Sequence, residues 1–137
     1  MPSKQNFNKK VEDTLEQPIK FSFQFYDTSC NEYCLSVWGE NMVSEALNKL
    51  KDLNNKTLKE LYTGKKIYHF HPVDWSQTIK KSGFPDSRAN ALEPYQFSLI
   101  GVNSSKARVF GAFAQGIFYI VWFDLEHKID PTFKKHT

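Results

Sequence analysis

Two apolar stretches with different rhythms organise the chain. Over residues 20–26, KFSFQFY, apolar and polar positions alternate. That is the period of a strand buried on one face, and it predicts Phe21, Phe23 and Phe25 turned together towards a helical layer. Over residues 117–124, IFYIVWFD, there is no alternation. A continuous run of β-branched and aromatic residues fits a strand covered on both faces and set centrally in a sheet. Residues 108–113 predict the strand before it, and Gln115-Gly116 the tight turn between the two. Met42, Val43, Ala46, Leu47, Leu50 and Leu53 recur at three- and four-residue intervals, which predicts an amphipathic helix over 41–53. Thr57 and Glu60 have capping-box spacing at the start of a short helix carrying Leu58, Leu61 and Tyr62, with Gly64 as its C′ stop.

Weaker signals complete the order. Residues 32–38 predict a strand returning as a hairpin beside 20–26. Residues 66–72 predict a strand stopped by Pro72, and Asp74 or Ser76 a cap for a brief helix ended at Gly83. A helical turn is expected over 87–92 and a strand over 95–101. The order β(β)αα followed by four strands, the later ones antiparallel, defines an α+β chain. Residues 1–18 read as a polar arm with one helical turn at 11–15, and 19–137 as a single domain. The basic tail from Pro131 reads as frayed.

Composition narrows the class. The chain has 137 residues, enough for one domain with its own core, and 15% are aromatic, including 12 phenylalanines. Its formal charge of +3 permits a nucleic-acid partner without requiring one. Cys30 and Cys34, with no secretory segment ahead of them, read as reduced thiols. No run has the length of a membrane span and the N-terminus lacks a signal-peptide core, so the expectation is a cytoplasmic protein with no membrane partner.

Few residues offer chemistry. On a strand, His69 and His71 share a face, and with Asp74 or His127 they would suit zinc; the competing reading is a half-exposed strand face with no metal or cofactor. Arg108 opens a strand among apolar neighbours and needs a partner if buried. One reading pairs it with Asp124 or Glu126; the other makes it a phosphate clamp, which its planar fork suits. His127 follows the most apolar strand and is a candidate general acid or base. Lys4, Lys9, Lys10, Lys134 and Lys135 make both termini basic, a footprint for a polyanion if they meet on one face.

The element order and the ending RVFGAFAQGIFYIVWFDLEHKI resemble the RelE/ParE toxin superfamily. Arg108-Val109-Phe110-Gly111 resembles a family strand, and Asp124-Leu125-Glu126-His127 falls where RelE-like ribonucleases carry catalytic groups. The ending is more similar still to a group of uncharacterised bacterial, often prophage-borne, proteins with the form Arg-x-x-Gly…Phe-Tyr-x-x-Trp-x-Asp-x-x-His. The resemblance implies a helical hairpin on a curved, mainly antiparallel sheet. It also implies an mRNA endoribonuclease acting without metal by 2′-hydroxyl attack, with RNA or the ribosome and a cognate antitoxin as partners. On that basis Arg108 would hold the phosphate, His127 and His71 would move protons, and Lys106 and Lys128 would contact RNA. Where RelE-type enzymes carry several Arg and Lys, this segment has Asp124 and Glu126. The alternative is a non-catalytic module on the same scaffold that binds protein or nucleic acid.

Overall fold

The computed structural model describes residues 14–131. Its sheet contains β1 (Lys20–Ser22), β2 (His71–Pro72), β3 (Glu93–Ser98), β4 (Arg108–Ala114) and β5 (Ile117–Asp124), in the spatial order β1-β5-β4-β3-β2. β1 lies parallel to β5, and every other pairing is antiparallel. The helices lying wholly within the described residues are α1 (Glu40–Asn54), α2 (Leu58–Thr63), α3 (Lys65–Tyr68) and α4 (Ser87–Asn90). The protein is therefore α+β, as the sequence predicts, and its sheet is a mixed five-stranded one.

The unbroken apolar run of β5 follows from burial on both faces. Phe118, Ile120 and Phe123 join a core with Leu50, Leu53, Leu58 and Leu61 from α1 and α2. Val121 and Trp122 join a second core with Phe25, Phe84, Ala89 and Ile129. Two consecutive residues reach one core because the ladder slips. Phe110 pairs with Trp122 and Gly111 with Ile120, which leaves Val121 as the extra residue of a bulge. Its carbonyl accepts from the Asp27 N–H at 3.2 Å. Gln115 (φ 53°) and Gly116 (φ 81°) close the β4–β5 turn with both central residues left-handed, the twist such hairpins require.

Local chemistry explains the helices. The Glu60 N–H donates to Thr57 Oγ1 at 3.1 Å and the Thr57 N–H to Glu60 Oε1 at 3.2 Å, so the expected capping box forms. Asp74 caps a 3-10 turn at Trp75–Gln77, rather than a helix, by accepting from the Ser76 N–H. Gly64 has φ −92° and is not a left-handed stop. Its value is space: a Cβ there would lie 2.8 Å from the Tyr68 ring.

Several expectations are corrected. The first strand ends at Ser22, where the Gln24 N–H turns back to Ser22 Oγ and the Tyr26 N–H to the Phe23 carbonyl. Phe21 consequently packs with the helices and Phe25 in the other core, while Phe23 is 53% exposed. Residues 32–38 form no strand; a 3-10 turn occupies Leu35–Val37. β1 pairs with β5 instead, which brings Phe21 within ring contact of Phe97 and Phe118. The strand expected at 66–72 begins as α3, which ends at Tyr68, and only His71–Pro72 pair, with β3. Of the polar arm, residues 1–13 lie outside the described residues. At its end the Gln17 N–H closes a turn on Thr14 and Pro18 bridges to Thr57. The tail beyond Pro131 is likewise outside them.

Candidate functional site

The C-terminal half of α1 stands between two surface depressions. On one flank, Lys49, Asp52 and Leu53, with Asn55 and Lys56 just past the helix, form one wall of a cleft of about 430 Å³. Tyr68 at the end of α3, with Ser98 at the end of β3 and Ile100 in the turn after it, completes it. α1 is held there by the packing of Ala46, Leu50 and Leu53, and by Asn54 Nδ2, which donates to the Ile19 carbonyl at 2.6 Å. Tyr68 reaches the cleft because Gly64 leaves room for its ring. The Lys49 stem passes over Gly101, where a Cβ would lie 3.8 Å from Cε. Two ammonium groups, an amide, a phenol ring and one opposing carboxylate thus share the cleft, which suits it to a strand bearing phosphates and a stacking ring.

Arg108 lies behind this cleft and is 8% exposed. Its Nη1 donates to Ser98 Oγ at 3.2 Å, to the Ser105 carbonyl at 2.6 Å and to the Ala107 carbonyl at 3.3 Å. The Ser105 carbonyl belongs to a loop in which Asn103, Ser104 and Ser105 all have positive φ, from 51° to 65°. Such a run is rare for residues with side chains, and Arg108 is one of the groups that pins it. Asp124 faces Arg108 across the ladder. Among the described residues no salt bridge within 4.0 Å involves Arg108. Burial lowers the Arg108 pKa while the Asp124 charge opposes that shift. Burial likewise raises the Asp124 carboxyl, against hydrogen bonds from the Ile129 and Lys128 N–H groups and the charge of Arg108. Asp124 therefore works as a buried cap for the turn after β5.

The remaining candidates scatter. His69 takes a left-handed backbone (φ 52°) after α3, so it and His71 do not project from one face of a continuous strand. Burial first, then the charges of Arg108 and His71, push the His69 pKa down. His71 is exposed on β2, with Nδ1 at 2.9 Å from the Pro72 carbonyl. His127 is half-buried in the turn after β5, with φ 57°. Lys128 lines a smaller depression of about 180 Å³ beside Glu32, Asp124 and Glu126, an acid-rich setting. Lys106 is exposed at the end of the left-handed loop. Among the described residues no three His, Cys, Asp or Glu side chains gather as a metal-holding set, so the zinc reading through His69, His71 and His127 finds no assembled site.

Lys49, Lys56 and Tyr68 escaped the sequence reading. Lys56 lies past the end of α1, so helical spacing does not join it to Lys49, and only packing brings the two lysines to one cleft. No family model matches this chain, and neither a curated protein nor a solved structure matches it. Among the described residues no helix is long and apolar enough to cross a membrane.

Proposed function

We propose that the protein is a non-catalytic binding module whose cleft between α1, α3 and β3 takes a strand of nucleic acid. Lys49 and Lys56 meet successive phosphates, and Tyr68 offers its ring to a base. What carries this reading is the pairing of two lysines with a half-buried aromatic ring in one cleft, while Arg108 is buried and engaged with Ser98 and the 103–105 loop. Single-stranded sites combine cationic grooves with aromatic platforms in this way. Titrating a labelled single-stranded RNA of about twelve nucleotides into the protein at stepped salt, with anisotropy as the readout, tests it. The Lys49→Glu/Lys56→Glu variant is expected to lose about tenfold or more in affinity, and to flatten the salt dependence by about one to two phosphate contacts. Equal affinity in that variant would end the proposal.

A second reading is the RelE-type, metal-independent endoribonuclease toxin, with Arg108, His127 and His71 in the roles the resemblance implies. The observation in its favour is that burial, then the charges of Arg108 and His71, hold His69 towards its neutral, proton-accepting form. The same RNA incubations run on a denaturing gel distinguish the two readings. New cleavage ends that vanish in a folded His127→Ala variant would move the assignment to the ribonuclease. So would growth arrest on expression that a cognate antitoxin relieves. Intact RNA with retained binding supports the module.

A further inference from the structure

On the other flank of α1 lies a depression of about 590 Å³, walled by Leu47, Leu50 and Lys51 from the helix and by Lys20, Phe21 and Phe23 from β1 and the turn after it. Its apolar side chains are conspicuously open: Phe23 is 53% exposed and Leu47 51%. The charged residues lining it are both lysines. β1 is also the terminal strand of the sheet. The Lys20 N–H donates to the Gly116 carbonyl, so Lys20 turns its main chain towards β5, and by alternation Phe21 turns its own outwards. Apolar side chains, two cations and a strand edge open at Phe21 therefore meet along one groove, the Ile19 main chain before it being bonded to Lys56 and Asn54.

We propose that this groove docks an acidic, amphipathic, extended segment of a partner protein, added alongside β1. Its main chain would pair with Phe21, alternate apolar side chains would cover Phe23 and Leu47, and carboxylates between them would meet Lys20 and Lys51. Strand addition supplies affinity through the main chain and selectivity through the alternating side chains, and charge of opposite sign sets the register. The chain's own ends have the wrong sign. Residues 1–13 carry Lys4, Lys9 and Lys10 against Glu12 and Asp13, and the tail carries Lys134 and Lys135. A concave groove beside a strand edge also suits a peptide better than a flat bilayer surface.

The test uses the full chain and a fluorescent peptide of about ten residues alternating leucine and glutamate, with a leucine–lysine peptide as its counterpart. Saturable binding of the acidic peptide alone is expected, weakened about tenfold or more by Lys20→Glu/Lys51→Glu and separately by Leu47→Asp. Each change is at the groove surface, and an unaltered circular dichroism spectrum verifies the fold. No binding, or equal binding of both peptides, overturns the proposal. A dimer in sedimentation equilibrium that Leu47→Asp dissociates would overturn it in favour of a second copy. Vesicle binding through phosphatidylglycerol that Phe23→Asp abolishes, without peptide binding, would overturn it in favour of a membrane surface.

Discussion

A buried guanidinium is costly unless its donors find acceptors, and Arg108 Nη1 finds them on Ser98 and on two main-chain carbonyls. Removing it would take the closest donor from the Ser105 carbonyl, loosen the left-handed loop and leave Asp124 with Lys128 as its neighbouring cation. Arg108→Ala is therefore expected to lower unfolding free energy by about 3 kcal/mol in urea titration, with Arg108→Lys recovering only part of it. A surface arginine reserved for a phosphate would change stability by no more than about 0.5 kcal/mol, so a null result would reopen the clamp role. Sequence reasoning held that Arg108 needs a partner if buried and offered Asp124 or Glu126, neither of which forms a salt bridge with it among the described residues. It missed Ser98 and the loop carbonyls, because a main-chain acceptor leaves no trace in side-chain composition. His69 and His71 show the same limit: their two-residue spacing predicts a shared face, but a left-handed turn at His69 breaks the strand on which that rule depends.

At the scale of elements, the β4–β5 hairpin carries the most specific demand. A Cβ on Gly111 would run into the Tyr119 carbonyl and the Phe118 ring just where the register shifts. Backbone on the facing strand cannot move aside as a flexible side chain can. Gly111→Ala is expected to cost about 1–3 kcal/mol or more in thermal or urea unfolding, with loss of the bulge. Wild-type stability in that variant would show that the close approach is not maintained in solution. α1 illustrates the reach of periodicity: its stripe is correct for Ala46, Leu50 and Leu53, yet Leu47, on the same stripe, is half-exposed at the groove beside β1. A residue that fits the pattern of a core and lies at the surface is the kind of signal that only packing reveals.

At the scale of the molecule, ionisation ties the two sides of the sheet to folding. His69 has its pKa lowered in the folded state from a usual 6.5. The stability it contributes is thus complete above pH 6.5 and is lost as pH falls through the folded pKa. Asp124 has the opposite sign. Its raised pKa gives stability that is complete below 3.8 and lost as pH rises through the folded value. For Asp27, burial alone would raise the pKa, but hydrogen bonds from Trp122 Nε1 (2.8 Å) and Ser29 bring the net shift below 3.8. Its contribution is lost only as pH falls through that lower value. Comparing urea midpoints of wild type and His69→Asn between about pH 7.5 and about pH 5 isolates the histidine, since asparagine tolerates the left-handed backbone. The wild type is expected to lose stability on acidification below 6.5 relative to the variant, and parallel curves would rule the coupling out.

Signals that act within a few residues are what this sequence determined by itself. The helical stripe of α1, the Thr57–Glu60 capping box, the Gln115-Gly116 turn and the two-sided burial of β5 each follow from local periodicity, hydrogen-bond spacing or backbone conformation. Tertiary structure decided the partner of β1, the shortening of its alternating strand, the helical start of the segment before His71, and which cations share a cleft. Those outcomes depend on contacts between residues far apart in the chain, such as Phe21 on Phe97 and Phe118, or Trp122 on Asp27. The apolar area gained in such contacts outweighs local strand preference, and no local pattern records which distant residue will supply it.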